Sequence, residues 1–338
     1  MRYLITGHTG FKGSWLSLLL ASRGHEVCGF SLDPIRGALY DEAGIAKVVV
    51  NDIRGDIRDR AAIEAAVQRT SPDVVLHLAA QPLVRQSYAN PRETFETNVD
   101  GTLNVLEAIS HSGQVKAAVI ITTDKVYRNV ERSDGYVETD ALGGHDPYSA
   151  SKAMADLLTQ SWIASFPAAP TAIARAGNVI GGGDVSPDRL LPDLIASFQS
   201  GESARLRYPG AVRPWQHVLD CLRGYLDLTD ALLAGSGHGA WNFGPGIESF
   251  VPVRELADRA VALWGDSARW QSDTGEHVHE AGLLALDASH AETDLGWHNR
   301  LPFPASLEWT IEWQRAVDSG ESARAVTDRQ IARFEAMP

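Results

Sequence analysis

Two clusters in this sequence combine side chains whose types and spacing suit acid/base chemistry. In Tyr148-Ser-Ala-Ser-Lys152 a phenol and an ammonium stand four residues apart, which puts both on one face of a helix. A free tyrosine has a pKa of about 10, so Tyr148 accepts a proton near neutrality only where positive charge stabilises the phenolate. Lys152 is placed to supply that charge. In Ile121-Thr-Thr-Asp-Lys-Val126, Thr123 offers a hydroxyl able to bond another hydroxyl, and Asp124 and Lys125 set an acid beside a base. Alone, the first cluster also fits a helix surface pair and the second a solvated loop ion pair. A third stretch changes that balance.

Gly7-His-Thr-Gly10-Phe-Lys-Gly13 follows an apolar run and opens an amphipathic one, the strand-to-helix context in which spaced glycines have a mechanism. Gly7 permits a sharp turn, Gly10 lets backbone amides approach a pyrophosphate, and Gly13 lets the helix pack on the sheet. The helix N-terminus favours the ligand's negative charge. Thr9, Phe11 and Lys12 belong to the same loop, and the ligand reads as a dinucleotide. Asp56-Ile57 and Leu78-Ala-Ala80 follow later strands and border the crevice where an open α/β sheet binds its ligand. His77 reads as a core histidine. Near the end of the second strand Ser31 stands where an acid normally holds the adenosine ribose, with Asp33 two residues on; Asp33 favours NAD, while Arg36 leaves a 2′-phosphate open.

The elements that position these residues are legible as a βαβ alternation. Apolar, β-branched runs at 3–6, 26–32, 47–51, 74–78, 117–122 and 171–175 predict buried parallel strands. Helical patterns at 12–23, 59–69, 94–111 and 147–166 separate them. The fold class predicted is α/β, a Rossmann-like doubly wound parallel sheet with a smaller, discontinuous C-terminal substrate domain. Residues 1–176 form the dinucleotide-binding unit, with parts of 212–245 returning to it. Residues 177–211 and 246–338 form the second unit, with helices at 190–199, 253–264 and 304–317.

Composition excludes other classes. With 338 residues and 43 acidic against 30 basic side chains, the chain lacks the basic balance of a nucleic-acid or anionic-membrane surface. Its two cysteines, Cys28 and Cys221, show no metal-ligand spacing and no disulfide pattern, so no metal is expected. No apolar stretch approaches the ~20 residues of a membrane span, and a cytoplasmic protein is expected.

Thr6-Gly-His-Thr-Gly-Phe-Lys-Gly13, Thr122-Thr-Asp-Lys125, Gly143-Gly-His-Asp-Pro-Tyr-Ser-Ala-Ser-Lys152, Arg175-Ala-Gly-Asn-Val-Ile-Gly-Gly-Gly-Asp184 and Val212-Arg-Pro-Trp-Gln-His217 together resemble the CDP-glucose 4,6-dehydratases of the extended short-chain dehydrogenase/reductase superfamily. The likeness runs over nearly the whole chain. Its discriminating part is Thr-Asp-Lys, since related dTDP-glucose dehydratases typically carry an acid where Lys125 stands.

The resemblance implies NAD as cofactor, with Asn98, Thr122, Tyr148 and Lys152 joining the residues above around it. It implies that C4 of the glucosyl unit of CDP-glucose is oxidised while Tyr148 takes the hydroxyl proton. Lys125 then removes the C5 proton, Asp124 protonates the departing C6 hydroxyl, and hydride returns to C6. Gln81, Val84, Asn178, Arg189, Arg207 and Arg213 are the implied substrate contacts, and the helices at 94–111 and 147–166 the implied homodimer interface. A C4-epimerase would share the glycine and Tyr/Lys motifs without needing the Asp124–Lys125 couple. A non-catalytic dinucleotide sensor would need neither Thr123 nor Tyr148.

Overall fold

The computed structural model describes residues 1–166, 169–265, 268–275 and 282–338. Seven strands form one sheet: β1 (Arg2–Thr6), β2 (Glu26–Ser31), β3 (Asn51–Arg54), β4 (Val74–His77), β5 (Ala117–Ile121), β6 (Thr171–Ala176) and β10 (Gly239–Phe243). Their order is β3-β2-β1-β4-β5-β6-β10, and every pair is parallel. The chain turns from one half of the sheet to the other between β1 and β4, so the loops after these strands flank the ligand crevice.

The central strands read as continuous apolar runs because both faces are covered. Tyr3 and Ile5 of β1, with Val74 and Leu76 of β4, face a core that holds Trp15, Tyr225 and Phe243. Leu4 and Val75 point the other way, onto Phe30, Ile63, Val105 and Ile109. This is the two-residue period of a strand between two helical layers.

Two smaller sheets lie beyond β6. β7 (Asn178–Ile180), β9 (Val212–His217) and β11 (Phe250–Pro252) form one, and β8 (Ala204–Leu206) pairs with β12 (Trp270–Ser272) in the other. A second core gathers Leu194, Phe198, Trp215, Leu256 and Phe303. Between β9 and β10 the helix Val218–Leu233 returns the chain to the large sheet.

The structure departs from the sequence reading in three places. The third strand is not at 47–51 but at Asn51–Arg54; the apolar run before it forms the turn Ile45–Lys47 and buries Ile45 and Val49. An edge strand with one wet face needs no apolar run, and Asn-Asp-Ile-Arg has none. The helix expected at 94–111 is interrupted by a π turn, Glu96–Asp100, before continuing as Gly101–Ser112. The stretch 246–338, assigned wholly to the second unit, divides between two cores, while 266–267 and 276–281 lie outside the described residues. In the helix Phe303–Asp318, Phe303, Leu307 and Ile311 face the second core, whereas Trp309 and Trp313 face the first. The helix Ala323–Glu335 adds Val326, Ile331 and Phe334 to that first core.

A wholly buried ion pair joins the strands to the helix Pro147–Ser165. Arg175 in β6 donates from Nε to Asp156 Oδ2 at 2.8 Å and from Nη2 to Oδ1 at 2.7 Å. Its Nη1 donates to the Tyr127 hydroxyl at 2.8 Å, and Thr122 donates to Asp156 at 3.0 Å. Removing one partner of such a pair strands a buried charge. Asp156→Ala is therefore expected to lower unfolding free energy in urea by about 3–5 kcal/mol. The double change Asp156→Leu/Arg175→Met is expected to recover a large part of that loss.

Candidate active site

One cavity of about 1290 Å³ opens between the carboxyl ends of the large sheet and the second unit. At its floor the glycine loop behaves as three different positions. Gly7 has a φ of +79°, and a Cβ there would lie 2.8 Å from the Ala79 amide nitrogen, so the loops after β1 and β4 meet backbone to backbone. A Cβ on Gly13 would fall 2.1 Å from the Gly7 carbonyl oxygen. On Gly10 it would meet nothing closer than 3.4 Å, so this residue keeps the cavity side of the loop clear. Gly10 also precedes the helix α1 (Phe11–Ser22), whose N-terminus has no side-chain cap. Uncapped amides and a clear approach fit a dinucleotide pyrophosphate.

Thr9, Phe11, Asp56, Ile57, Leu78, Ala79 and Ala80 line the cavity as the sequence suggests. Lys12 also reaches it, but its ammonium turns to the Tyr225 hydroxyl at 3.1 Å. Asp56 is gripped by Arg58, whose Nη2 lies 2.6 Å from Oδ2 and holds the carboxyl below its usual range. Ser31, at the end of β2, bonds Thr9 at 2.7 Å, leaving Asp33 beyond it on the cavity wall. Arg36 is exposed and lies off that wall. Asn98 is buried behind it: Oδ1 accepts from the Gln81 amide at 2.8 Å, and Nδ2 donates to Ser151 at 2.8 Å. Asn98 thus braces the loop after β4 against the helix that carries Tyr148.

That helix starts where the sequence dictates. Asp146 accepts from the Ser149 amide at 2.9 Å, Pro147 occupies the first turn, and Ser87 accepts from the Tyr148 amide at 3.1 Å. Lys152 reaches across to β5 and donates to the Ile121 carbonyl at 2.7 Å. Burial pulls its ammonium down to about 8, with the charge of Lys12 adding to the shift and Asp156 opposing it. Burial pushes the Tyr148 phenol up to about 12, against its hydrogen bond with Thr123 and the charge of Arg189. Burial thus favours the protonated phenol, and added positive charge in the cavity would favour the phenolate.

Thr122, Thr123 and Lys125 face the same space. Asp124 is completely buried and touches the cavity through its neighbours: its Oδ1 accepts from Thr123 at 2.8 Å and pairs with Lys125 Nζ at 3.4 Å. Among the described residues its Oδ2 has no hydrogen-bond partner, and it lies behind Gly177, where a Cβ would stand 3.2 Å away.

At the far end Val84, Asn178, Arg189, Arg207 and Arg213 line the cavity, and the amide oxygen of Asn178 is buried with no hydrogen-bond partner among the described residues. Gln81 lines it too, but its side chain folds back to accept from the Leu83 amide at 2.6 Å and donate to Thr94 at 2.9 Å. Arg189 Nη1 lies 3.3 Å from Asp184, and Arg207 sits 3.8 Å from Asp188. Arg85, overlooked in the sequence, meets Asp188 at 2.6 Å. Only the fold brings these two together, and the positive φ of 60° at Asp188 gave no signal in advance.

The model of the NAD dependent epimerase/dehydratase family matches residues 3–244. The chain belongs to the NAD dependent epimerase/dehydratase family. Among its relatives, the CDP-glucose 4,6-dehydratase of Salmonella typhimurium is 42% identical, over 98% of this chain and 96% of that one. The dTDP-glucose 4,6-dehydratase of Streptomyces venezuelae, solved with NAD and TYD bound, superposes with a TM-score of 0.79 at 27% identity, over 94% and 98% of the two chains. The UDP-glucose-4-epimerase of Stenotrophomonas maltophila, solved with NAD, gives a TM-score of 0.83 over 95% and 100% at 23% identity, a likeness of fold. An epimerase and a dehydratase thus share this fold. Among the described residues no helix is long and apolar enough to cross a membrane, and no cluster of three or more His, Cys, Asp or Glu could hold a metal.

The glycine geometry separates packing from ligand approach. Gly13→Ala is expected to destabilise the fold by about 1–3 kcal/mol in denaturant unfolding, through overpacking. Gly10→Ala is expected to change stability by less than about 1 kcal/mol while weakening NAD binding in calorimetric titration. Equal stability losses for the two would contradict this division.

Proposed function

We propose that this chain converts CDP-glucose to CDP-4-keto-6-deoxyglucose and water, and that the Asp124–Lys125 couple beside Tyr148 is the observation that carries the reading. The relative from Salmonella typhimurium supports the same substrate. In this reading the large-sheet unit holds NAD through the amides of Gly7–Gly13, through Asp33, Asp56, Ile57 and Leu78–Ala80, and through Tyr148 and Lys152. Asn178, Arg189 and Arg207 of residues 177–211, together with Arg213 in β9, face the diphosphate of the nucleotide sugar, since arginine binds such groups through paired hydrogen bonds. A bound NAD supplies reversible hydride acceptance and the positive charge that the buried phenol lacks.

Tyr148, oriented by Thr123, takes the C4 hydroxyl proton while Lys152 stabilises the phenolate. The resulting 4-ketone acidifies the C5 hydrogen. Lys125 removes it as an amine, and Asp124, which meets the cavity only through its neighbours, passes its carboxyl proton by way of the Thr123 hydroxyl to the C6 hydroxyl, which leaves as water; return of the hydride to C6 is matched by return of a proton from Lys125 to C5. The amine and carboxyl required differ from the ion pair by one proton moved across the 3.4 Å between Nζ and Oδ1. A sugar that seals the cavity removes water from around the couple and favours that neutral form. An epimerase has no use for this couple.

The assembly belongs to the same reading. Met154 and Leu157 on the helix Pro147–Ser165 are 48% and 53% exposed, and Phe95, Val99 and Leu103 of the neighbouring helical stretch are only half-buried. Two such faces from two copies would form a four-helix interface, so a homodimer or a multiple of it is expected. Light scattering that gives the mass of one 36.6 kDa chain at micromolar concentration would overturn this.

The reaction is tested by incubating the protein with CDP-, dTDP-, UDP- and GDP-glucose and weighing the products. Loss of one water from CDP-glucose supports the dehydratase; an isomer of unchanged mass indicates an epimerase, and no turnover on any of the four a binding protein. Tyr148→Phe is expected to block both NADH formation and product. Lys125→Ala is expected to spare C4 oxidation, so that bound NADH accumulates, while exchange of the C5 hydrogen with deuterated solvent falls by roughly a hundred- to ten-thousand-fold. Near-normal turnover with full C5 deuteration in Lys125→Ala would show that another group is the base.

A further inference from the structure

Beneath the glycine loop lies a group of polar side chains that the reaction above does not use. His8, within the loop, is wholly buried, and Gly29 in β2 makes room for its ring; a Cβ there would stand 2.2 Å from it. His8 Nε2 lies 2.8 Å from Asp52 Oδ1, and the Tyr40 hydroxyl donates to Asp52 Oδ2. Arg54 at the end of β3 completes the group. It donates from Nη1 to Asp52 Oδ1 at 2.6 Å and from Nη2 to the Tyr40 hydroxyl at 2.7 Å, with its guanidinium 4.9 Å from the centre of the Tyr40 ring. The forked edge of the guanidinium is thereby engaged. Its Nε lies 3.3 Å from Asp33 Oδ1, and Asp33 lines the cavity with its side chain 89% exposed.

We propose that Asp33 and Arg54 act as one cofactor-selecting device, in which Asp33 covers the cationic Nε edge of Arg54. The inference rests on the dinucleotide reading of the cavity. With the carboxylate in place, the pair offers acceptors to ribose hydroxyls and repels a 2′-phosphate. Without it, an N–H donor on a fixed cation faces the space the carboxylate filled. Sheet register sets that cation in place, since Arg54 pairs with Ser31 across β2 and β3, and Asp52 and Tyr40 hold its far edge. A guanidinium already ordered loses little freedom on binding phosphate. Neither arginine lines the cavity while Asp33 is in place, but Arg36, exposed on its loop, has no such preparation. Arg54, not Arg36, is the latent phosphate-binding residue.

The test is calorimetric titration of cofactor-stripped protein with NAD and NADP, with thermal unfolding as the check on folding. The parent protein is expected to prefer NAD. Asp33→Ser is expected to gain NADP affinity by about tenfold or more while losing NAD affinity. Asp33→Ser/Arg54→Gln is expected to lose that gain, Asp33→Ser/Arg54→Lys to keep part of it, and Asp33→Ser/Arg36→Gln to keep all of it. An NADP gain that survives Arg54→Gln, that disappears with Arg36→Gln, or that never appears in Asp33→Ser overturns the proposal. If the Arg54→Gln variant does not fold, the Arg36→Gln arm decides by the same criterion. A parent protein that binds neither nucleotide would instead overturn the dinucleotide reading itself.

Discussion

The bidentate contact between Arg175 and Asp156 is the constraint on which the site's geometry rests. Asp156 lies one helical turn beyond Lys152, on the helix that begins at Pro147 and carries Tyr148, and it also accepts from Thr122 just after β5. A rotation or slide of that helix large enough to misplace the phenol would pull a carboxylate from a guanidinium where both are wholly buried. Lys152 adds a second tie through the Ile121 carbonyl. Tyr148 and the Thr-Asp-Lys segment are therefore fixed relative to each other from behind, which leaves the cavity side of both free for ligands.

The same economy of backing appears at the other end of the crevice. Asn98 spends its side-chain amide on Gln81 and Ser151, and Gln81 spends its own on Leu83 and Thr94. Both are conformational braces for the loop after β4. Around the arginines at the far end, Asp184 and Asp188 compensate charge, so an anion bound there, as the proposed function has it, would exchange one set of ion pairs for another. Such an exchange makes affinity depend on geometry more than on net charge, in a chain whose formal net charge is −13.

What could be read from the sequence was what is local in it. The glycine loop, Tyr148/Lys152 and the Thr-Asp-Lys segment are short, and turn geometry or helical period fixes their internal arrangement. His77 was legible as a core residue, and it is one, bonded to Thr6 at 2.7 Å and pulled down to about 3 by burial. The Arg54 group was not legible, because β2–β3 register and the glycine loop assemble it from residues 8, 40, 52 and 54, and Asn-Asp-Ile-Arg has no strand signature. The division of the C-terminal stretch was hidden for a related reason: apolar residues on two faces of Phe303–Asp318 look, in sequence, like one broad face.

That two-faced helix has a consequence for how the chain comes to be folded. Trp15, in the first helix, is packed in a core that also takes in Trp297, Trp313 and Phe334, and its indole donates to the Gly182 carbonyl at 2.9 Å. A chain emerging from the ribosome holds β1 and α1 long before it holds those partners. The early βαβ unit must wait with an incomplete apolar face, or pair provisionally, until nearly the whole sequence is available. Slow closure of a parallel sheet through distant contacts exposes strand edges to other chains in the interval. Dependence on chaperones during synthesis, rather than marginal stability once folded, is the expected vulnerability of this architecture.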